Sequence, residues 1–134
     1  MKPKRELMSE KRLLVIDDEP EIGEFVRKVA TGLGYEVQVT TDGRAFQAAY
    51  HEMRPTTIAM DMVMPEMDGN ELVLWLMEQQ YDANLIIMTG YNPDYAKDAR
   101  VLAEFNGLRS VTTLTKPIGL AKLREALSVD YQVA

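Results

Sequence analysis

Leu13-Leu14-Val15-Ile16-Asp17-Asp18-Glu19-Pro20 passes from four apolar residues to three acids and a proline within eight positions. A strand with one wet face would alternate, so the unbroken apolar run reads as a strand buried on both faces. It stops where the acids begin. Pro20 suits the first turn of a helix. Ile22, Phe25, Val26, Val29 and Leu33 then recur at helical spacing, and Gly32 and Gly34 supply the stop.

The same succession continues outward from there. Glu36 to Thr40 carries Val37 and Val39 in alternation, as a second strand would. Asp42-Gly43 is a turn or helix start, and Ala45, Phe46, Ala48 and Ala49 mark a helix that ends near Met53, before Pro55. Thr57 to Met60 is a third strand, again ending at an aspartate, Asp61. After a loop from Met62 to Gly69, Leu72, Val73, Leu76 and Met77 mark a third helix. Leu85 to Met88 is a fourth buried strand closed by Thr89-Gly90. A fourth helix is expected over 92–106, with Asn92 as its N-cap and Gly107 as its stop. Val111 to Leu114 is a fifth strand, followed by Lys116-Pro117 and a last helix over Leu120 to Leu127. Five strands and five helices in strict alternation predict a doubly wound five-stranded parallel sheet with helices on both faces, a three-layer α/β/α sandwich.

Composition excludes several classes of function. The 134 residues fit one domain. We expect that domain over 11–130, after a charged, flexible leader over 1–10. The leader lacks the apolar centre of a secretory signal, and no run approaches the roughly 18 apolar residues that span a bilayer, so no membrane partner is expected. The net charge of -6 argues against direct contact with nucleic acid. There is no cysteine, which removes disulfides, thiolate metal sites and cysteine nucleophiles and fits a cytoplasmic location. The sequence stops soon after the last helix, which reads as a chain without an output domain of its own.

In open parallel sheets the ligand lies beyond the carboxyl ends of the strands. Those ends carry Asp17 and Asp18, Asp61, Thr89 and Lys116. Three carboxylates at one edge repel one another unless their pKa values rise or a cation binds. A hard divalent ion with oxygen ligands answers that need, and magnesium takes one or two carboxylates while keeping water. Phosphorylation of Asp61 would replace its charge by roughly two from the phosphate. Thr89 and Lys116 are then the hydroxyl and ammonium that stabilise the anion. The set suits transfer of a phosphoryl group onto a carboxylate.

At this point the chain resembles the receiver domains of response regulators, which have a (βα)5 flavodoxin-like fold. Leu13 to Pro20 is similar to the family's opening. Asp61-Met62-Val63-Met64-Pro65-Glu66-Met67-Asp68-Gly69 is similar to the segment around its phosphoacceptor. Met88-Thr89-Gly90 and Thr115-Lys116-Pro117 are similar to its hydroxyl and lysine segments. The resemblance covers about residues 11 to 128. It implies that Asp61 is the nucleophile toward a phosphohistidine on a sensor histidine kinase or phosphotransfer protein. It implies magnesium, with manganese as a substitute, held by Asp18, by Asp17 mainly through water, by Asp61 and by the backbone carbonyl of Val63. Thr89 and Lys116 would hold the phosphoryl oxygens, Gly90 would leave them room, and the Lys116-Pro117 bond would be cis. Such a domain is a switch and not an enzyme in the ordinary sense, since it catalyses only its own phosphorylation and dephosphorylation. It controls an output domain or effector protein, and a homodimer through the 92–106 helix and the fifth strand is a further partner it allows.

Two departures accompany the resemblance. Thr113, three before Lys116, stands where many receivers carry a switch aromatic. The spacing from Thr89 to Lys116 is long, and Gly107 to Pro117 is similar to receivers attached to cyclic-di-GMP phosphodiesterase domains. The chain is then the receiver portion of a longer protein or a stand-alone relative.

Plainer readings compete residue by residue. Asp17 and Asp18 could cap the first helix, Asp68-Gly69 a turn, Thr89 a hydroxyl bonded to backbone, and Lys116 a surface lysine. Met60, Met62, Met64 and Met67 are core filler before they are copper ligands. His51 reads as exposed and Trp75 as partly packed. Tyr91 and Val63 are placed beside the path of an attacking water, where they would slow hydrolysis of an acyl phosphate. A dehalogenase-like phosphatase would need an aspartate where Val63 stands. A flavodoxin-like carrier would need a phosphate-cradling loop where Asp17-Asp18-Glu19 stands.

Overall fold

A computed structural model describes residues 11–64, 69–90 and 107–128. In chain order the elements are β1 (Arg12–Ile16), α1 (Pro20–Gly32), β2 (Glu36–Thr40), α2 (Gly43–Met53), β3 (Thr57–Asp61), α3 (Gly69–Glu78), β4 (Asn84–Thr89), β5 (Ser110–Thr115) and α4 (Leu120–Leu127). The helix expected over 92–106, the leader over 1–10 and Tyr91 lie outside the described residues. The strands form one sheet in the order β2-β1-β3-β4-β5, every neighbouring pair parallel. The chain first runs from β1 to β2 and then crosses to β3 on the other side of β1. That reversal opens a crevice at the carboxyl ends of β1 and β3.

The unbroken apolar runs are explained by the two faces they serve. Leu14, Ile16, Ile58, Met60, Leu85 and Ile87 pack with Phe46 of α2 and with Leu72 and Leu76 of α3. Leu13, Val15, Ala59, Ile86 and Met88 point the other way, toward Val26 of α1 and Leu123 of α4. Each central strand thus feeds two cores, and each residue switches faces from the last. β2 lies at the sheet edge and alternates exposed with covered positions. Trp75 is half-buried and meets the rings of Phe46, Tyr50 and His51 edge-on. Met60 and Met62 are wholly buried in the first core, and Met64 packs against it.

Two glycines set the approach of helices to the crevice. A Cβ on Gly69, the first residue of α3, would lie 2.8 Å from the backbone Cα of Met62. Only a bare backbone lets α3 start so close to the chain leaving β3. Its N–H donates to the Met62 carbonyl at 2.9 Å. At α1, a Cβ on Gly23 would meet Val39 of β2 at 2.6 Å.

Candidate functional site

Each site residue is delivered by the ladder that ends at it. The Asp17 N–H still bonds to the Thr40 carbonyl at 3.1 Å, extending the β1–β2 pairing by one step. Asp61 is the last residue of β3, in register with Met88. The Lys116 N–H donates to the Thr89 carbonyl at 2.8 Å, so the last two site residues are clamped to each other through backbone. Local turns then aim the carboxylates. Asp17 Oδ1 accepts from the Glu19 N–H at 2.8 Å, and Asp61 Oδ1 accepts from the Val63 N–H at 3.2 Å. Both leave the second oxygen facing the crevice.

The crevice is a cleft of about 520 Å³ lined by Asp18, Glu19, Ile22, Asp61, Val63, Gly90, Lys116 and Pro117. Ligand oxygens of Asp17, Asp18 and Asp61 lie within 4.8 Å of one another. Lys116 reaches in with its Nζ 3.0 Å from Asp17 Oδ2, 3.3 Å from Asp61 Oδ2 and 3.1 Å from Glu19 Oε1. Asp17 and Asp61 are buried and Asp18 is exposed, so the trio runs from the sheet to solvent. Thr89 is buried, and among the described residues its hydroxyl oxygen has no hydrogen-bond partner; neither has Asp17 Oδ2. A Cβ on Gly90 would stand 3.3 Å from Lys116 Cβ, so this position keeps space beside the lysine stem. The Lys116-Pro117 peptide is cis.

The electrostatics follow from burial. Removal from water pushes the Asp61 carboxyl up to about 6; the nearby Asp17 charge adds to the rise, while the Val63 N–H and Lys116 oppose it. Burial also raises Asp17, against the Glu19 N–H and Lys116. Burial alone would lower the Lys116 ammonium, but its contacts with Asp17, Asp61 and Glu19 outweigh that and raise it. Four acids face one lysine, so the site is short of positive charge. An oxygen-rich, anionic pocket with an unpartnered buried carboxylate oxygen fits a hard divalent cation.

The profile of the response regulator receiver domain matches residues 13–128. The chain belongs to that family. As a receiver domain of two-component response regulators it is a phosphoryl acceptor rather than a classical enzyme, and the acidic pocket is where receiver domains bind magnesium. The chemotaxis protein CheY of Thermotoga maritima is 33% identical over 78 residues, covering 58% of this chain and 65% of that protein. The receiver protein CpdR of Brucella abortus is 32% identical over 108 residues, covering 75% and 90%. The solved structure of chemotaxis response regulator CheY4 of Vibrio cholerae superposes with a TM-score of 0.72 at 28% identity, covering 89% of this chain and 97% of that one. Across five of the curated relatives it matches, this receiver spans only 20% to 65% of their length. No helix among the described residues is long and apolar enough to cross a membrane.

The structure puts Asp18, Asp61, Val63 and Lys116 of this receiver on one cleft, with Asp17 buried against Lys116 and within 4.8 Å of the other two aspartates, and it joins Thr89 to Lys116 through backbone. It does not use Asp17 or Asp18 to cap α1: Glu19 holds the cap position, and no side chain bonds there. Lys116 is not a surface lysine, with its side chain 17% exposed. Sequence reasoning missed the part of Glu19 in the lysine cluster. Its place directly after two site acids is the available signal.

Proposed function

We propose that Asp61 is the phosphoacceptor of this receiver, taking a phosphoryl group from the phosphohistidine of a sensor kinase or phosphotransfer protein. The observation that supports it most is the crowding of a buried carboxylate by Asp17, Asp18 and Lys116, beside a buried threonine hydroxyl with nothing to bond. One carboxylate oxygen of Asp61 attacks phosphorus. An O–P bond forms as the N–P bond to imidazole breaks, and the departing ring nitrogen takes a proton. Asp17, Asp18, Asp61 and the Val63 carbonyl would hold magnesium, which supplies charge neutralisation for the transferring group. Thr89 donates its hydroxyl hydrogen and Lys116 its ammonium hydrogens to the new phosphoryl oxygens. These same groups serve the domain's own dephosphorylation, in which water attacks the phosphorus.

Phosphorylation then shifts an equilibrium between two conformations of the face that Thr89 and β5 border, and an output domain or effector reads the shift. Thr113 of β5 pairs with Ile87 of β4 and is half-buried, so no swinging aromatic couples the switch at this position. β5, at the edge of the sheet, is also where two copies would pair. The resemblance of Gly107 to Pro117 to receivers joined to cyclic-di-GMP phosphodiesterases favours such a domain as the output. Transfer from a kinase that uses ATP sets the work in the cytoplasm.

Intact mass after incubation with a small phosphodonor and magnesium tests the assignment. The expected result is a gain of one phosphate that chelation prevents and Asp61→Asn abolishes. Labelling that persists in Asp61→Asn would overturn it.

A further inference from the structure

Glu19 is the one acid on Lys116 that does not belong to the trio of close carboxylates. Lys116 Nζ donates to Glu19 Oε1 at 3.1 Å. Asp17 Oδ2 lies at 3.0 Å and Asp61 Oδ2 at 3.3 Å, so one ammonium is shared among three carboxylates. Two of these partners are buried, and Glu19 is the one on the solvent side. The Glu19 side chain is also spared from any capping duty, although it stands at the cap of α1.

The three acids would give up the lysine at very different cost. The side chains of Asp17 and Asp61 are 0% and 5% exposed, so a broken pair there would strand a buried charge. Glu19 is 58% exposed, and water can solvate it as soon as it is released. When a phosphoryl oxygen arrives and asks for a donor from Lys116, Glu19 is the partner that yields.

Building on the assignment of Asp61 and Lys116 above, we propose that Glu19 is a positioning residue that competes with the phosphoryl group for the Lys116 ammonium. In the unphosphorylated domain its carboxylate occupies the donor that the phosphoryl oxygen needs. In the phosphorylated domain it draws the lysine back out. Glu19 thereby weakens hold on the phosphoryl group and sets a limit on how long the signal lasts.

The test is the equilibrium binding of beryllofluoride with magnesium, a noncovalent stand-in for the phosphoryl group, measured by calorimetry on the whole chain. Glu19→Gln keeps the shape and removes the charge. It should bind roughly two- to fivefold tighter than the wild type, the range a partly exposed ion pair supports. Its aspartyl phosphate should last longer by a similar factor. In a Lys116→Met background the same substitution should change nothing, because the effect runs through the ammonium. Unchanged or weaker binding by Glu19→Gln would overturn the proposal. So would an equal gain without the lysine, which would mean simple repulsion between Glu19 and the ligand. Wild-type protein that binds no beryllofluoride at all would instead strike down the Asp61 reading, and this inference with it.

Discussion

The two ends of the same sheet treat polar groups in opposite ways. At the amino ends of the strands the side chains of Arg12, Tyr81, Asn84 and Ser110 are tied off. Arg12 Nε donates to the carbonyls of Met53 and Arg54 at 3.1 and 2.8 Å. Asn84 Nδ2 donates to the Thr56 carbonyl at 3.1 Å, and its Oδ1 accepts from Ser110 Oγ at 2.7 Å. The Tyr81 hydroxyl closes on the Asn84 carbonyl at 2.6 Å. At the carboxyl ends, a few residues along the same strands, three acids crowd one lysine with a fourth close by, and among the described residues two buried oxygens have no hydrogen bond. Satisfied networks make structure rigid, whereas buried groups left without partners mark where a ligand is to come. One edge holds the sheet together and the other is kept ready to react.

The sharpest way to break this contrast is to remove one polar side chain from each end and compare the signs. Asn84→Ala strips two part-buried hydrogen bonds from the structural end. It should cost about 2–3 kcal/mol in urea unfolding and leave magnesium-dependent phosphorylation at the wild-type level. Asp61→Asn at the other end should do the reverse, stabilising the chelator-treated protein at pH 7.5 while abolishing phosphorylation. The folded Asp61 carboxyl is raised from 3.8 to about 6, so the native state binds a proton that the unfolded chain releases between those values. Stability therefore falls as pH rises through that window and is lowest above it. The ceiling is about 3 kcal/mol for a rise of that size. About 1–2 kcal/mol is expected, because the amide also gives up the pairing with Lys116. The difference between Asp61→Asn and wild type should shrink toward zero below pH 4. A loss of stability in Asp61→Asn at neutral pH would erase the distinction between the two edges.

Magnesium should act in the same direction as that substitution. At ten times its dissociation constant, binding to the folded state alone adds about 1.4 kcal/mol to the wild type. A thermal-shift series in magnesium checks this, and Asp61→Asn should respond less. Equal shifts in both proteins would remove Asp61 from the ligand set.

How much of this was readable from the sequence depends on the range of the interaction. Apolar runs ending in Asp17, Asp61, Thr89 and Lys116 announce themselves locally, because a strand buried on both faces cannot hide where it stops. The fold and the members of the cleft follow from those ends and the alternation between them. Glu19 does not announce itself, since its hydrogen bond spans 97 positions and depends on which way a flexible lysine turns. The structural edge was invisible for a related reason. Thr56, Asn84 and Ser110 sit at strand starts, where polar residues look like ordinary boundaries, and their bonds cross three strands. Gly69 reads as a turn glycine in the sequence, while the fold needs it for close approach to Met62.

Thr89 gives the smallest change in stability and the finest test of the contrast. Its hydroxyl oxygen is buried and has no partner among the described residues, so folding gains nothing from those residues there and bears the cost of its desolvation. Thr89→Val keeps the branched shape and removes that oxygen. A structural threonine replaced in this way would destabilise the protein. Here the change should lie between zero and about 1 kcal/mol of added stability, read as a small rise in the urea midpoint. The phosphorylated form should suffer instead, because the phosphoryl oxygen loses its hydroxyl donor, and Asp61 should label more slowly from the small phosphodonor. If Thr89→Val unfolds more easily and labels at the normal rate, the hydroxyl belongs to the scaffold, and the carboxyl edge of the sheet is less distinct from the amino edge than its unpartnered atoms suggest.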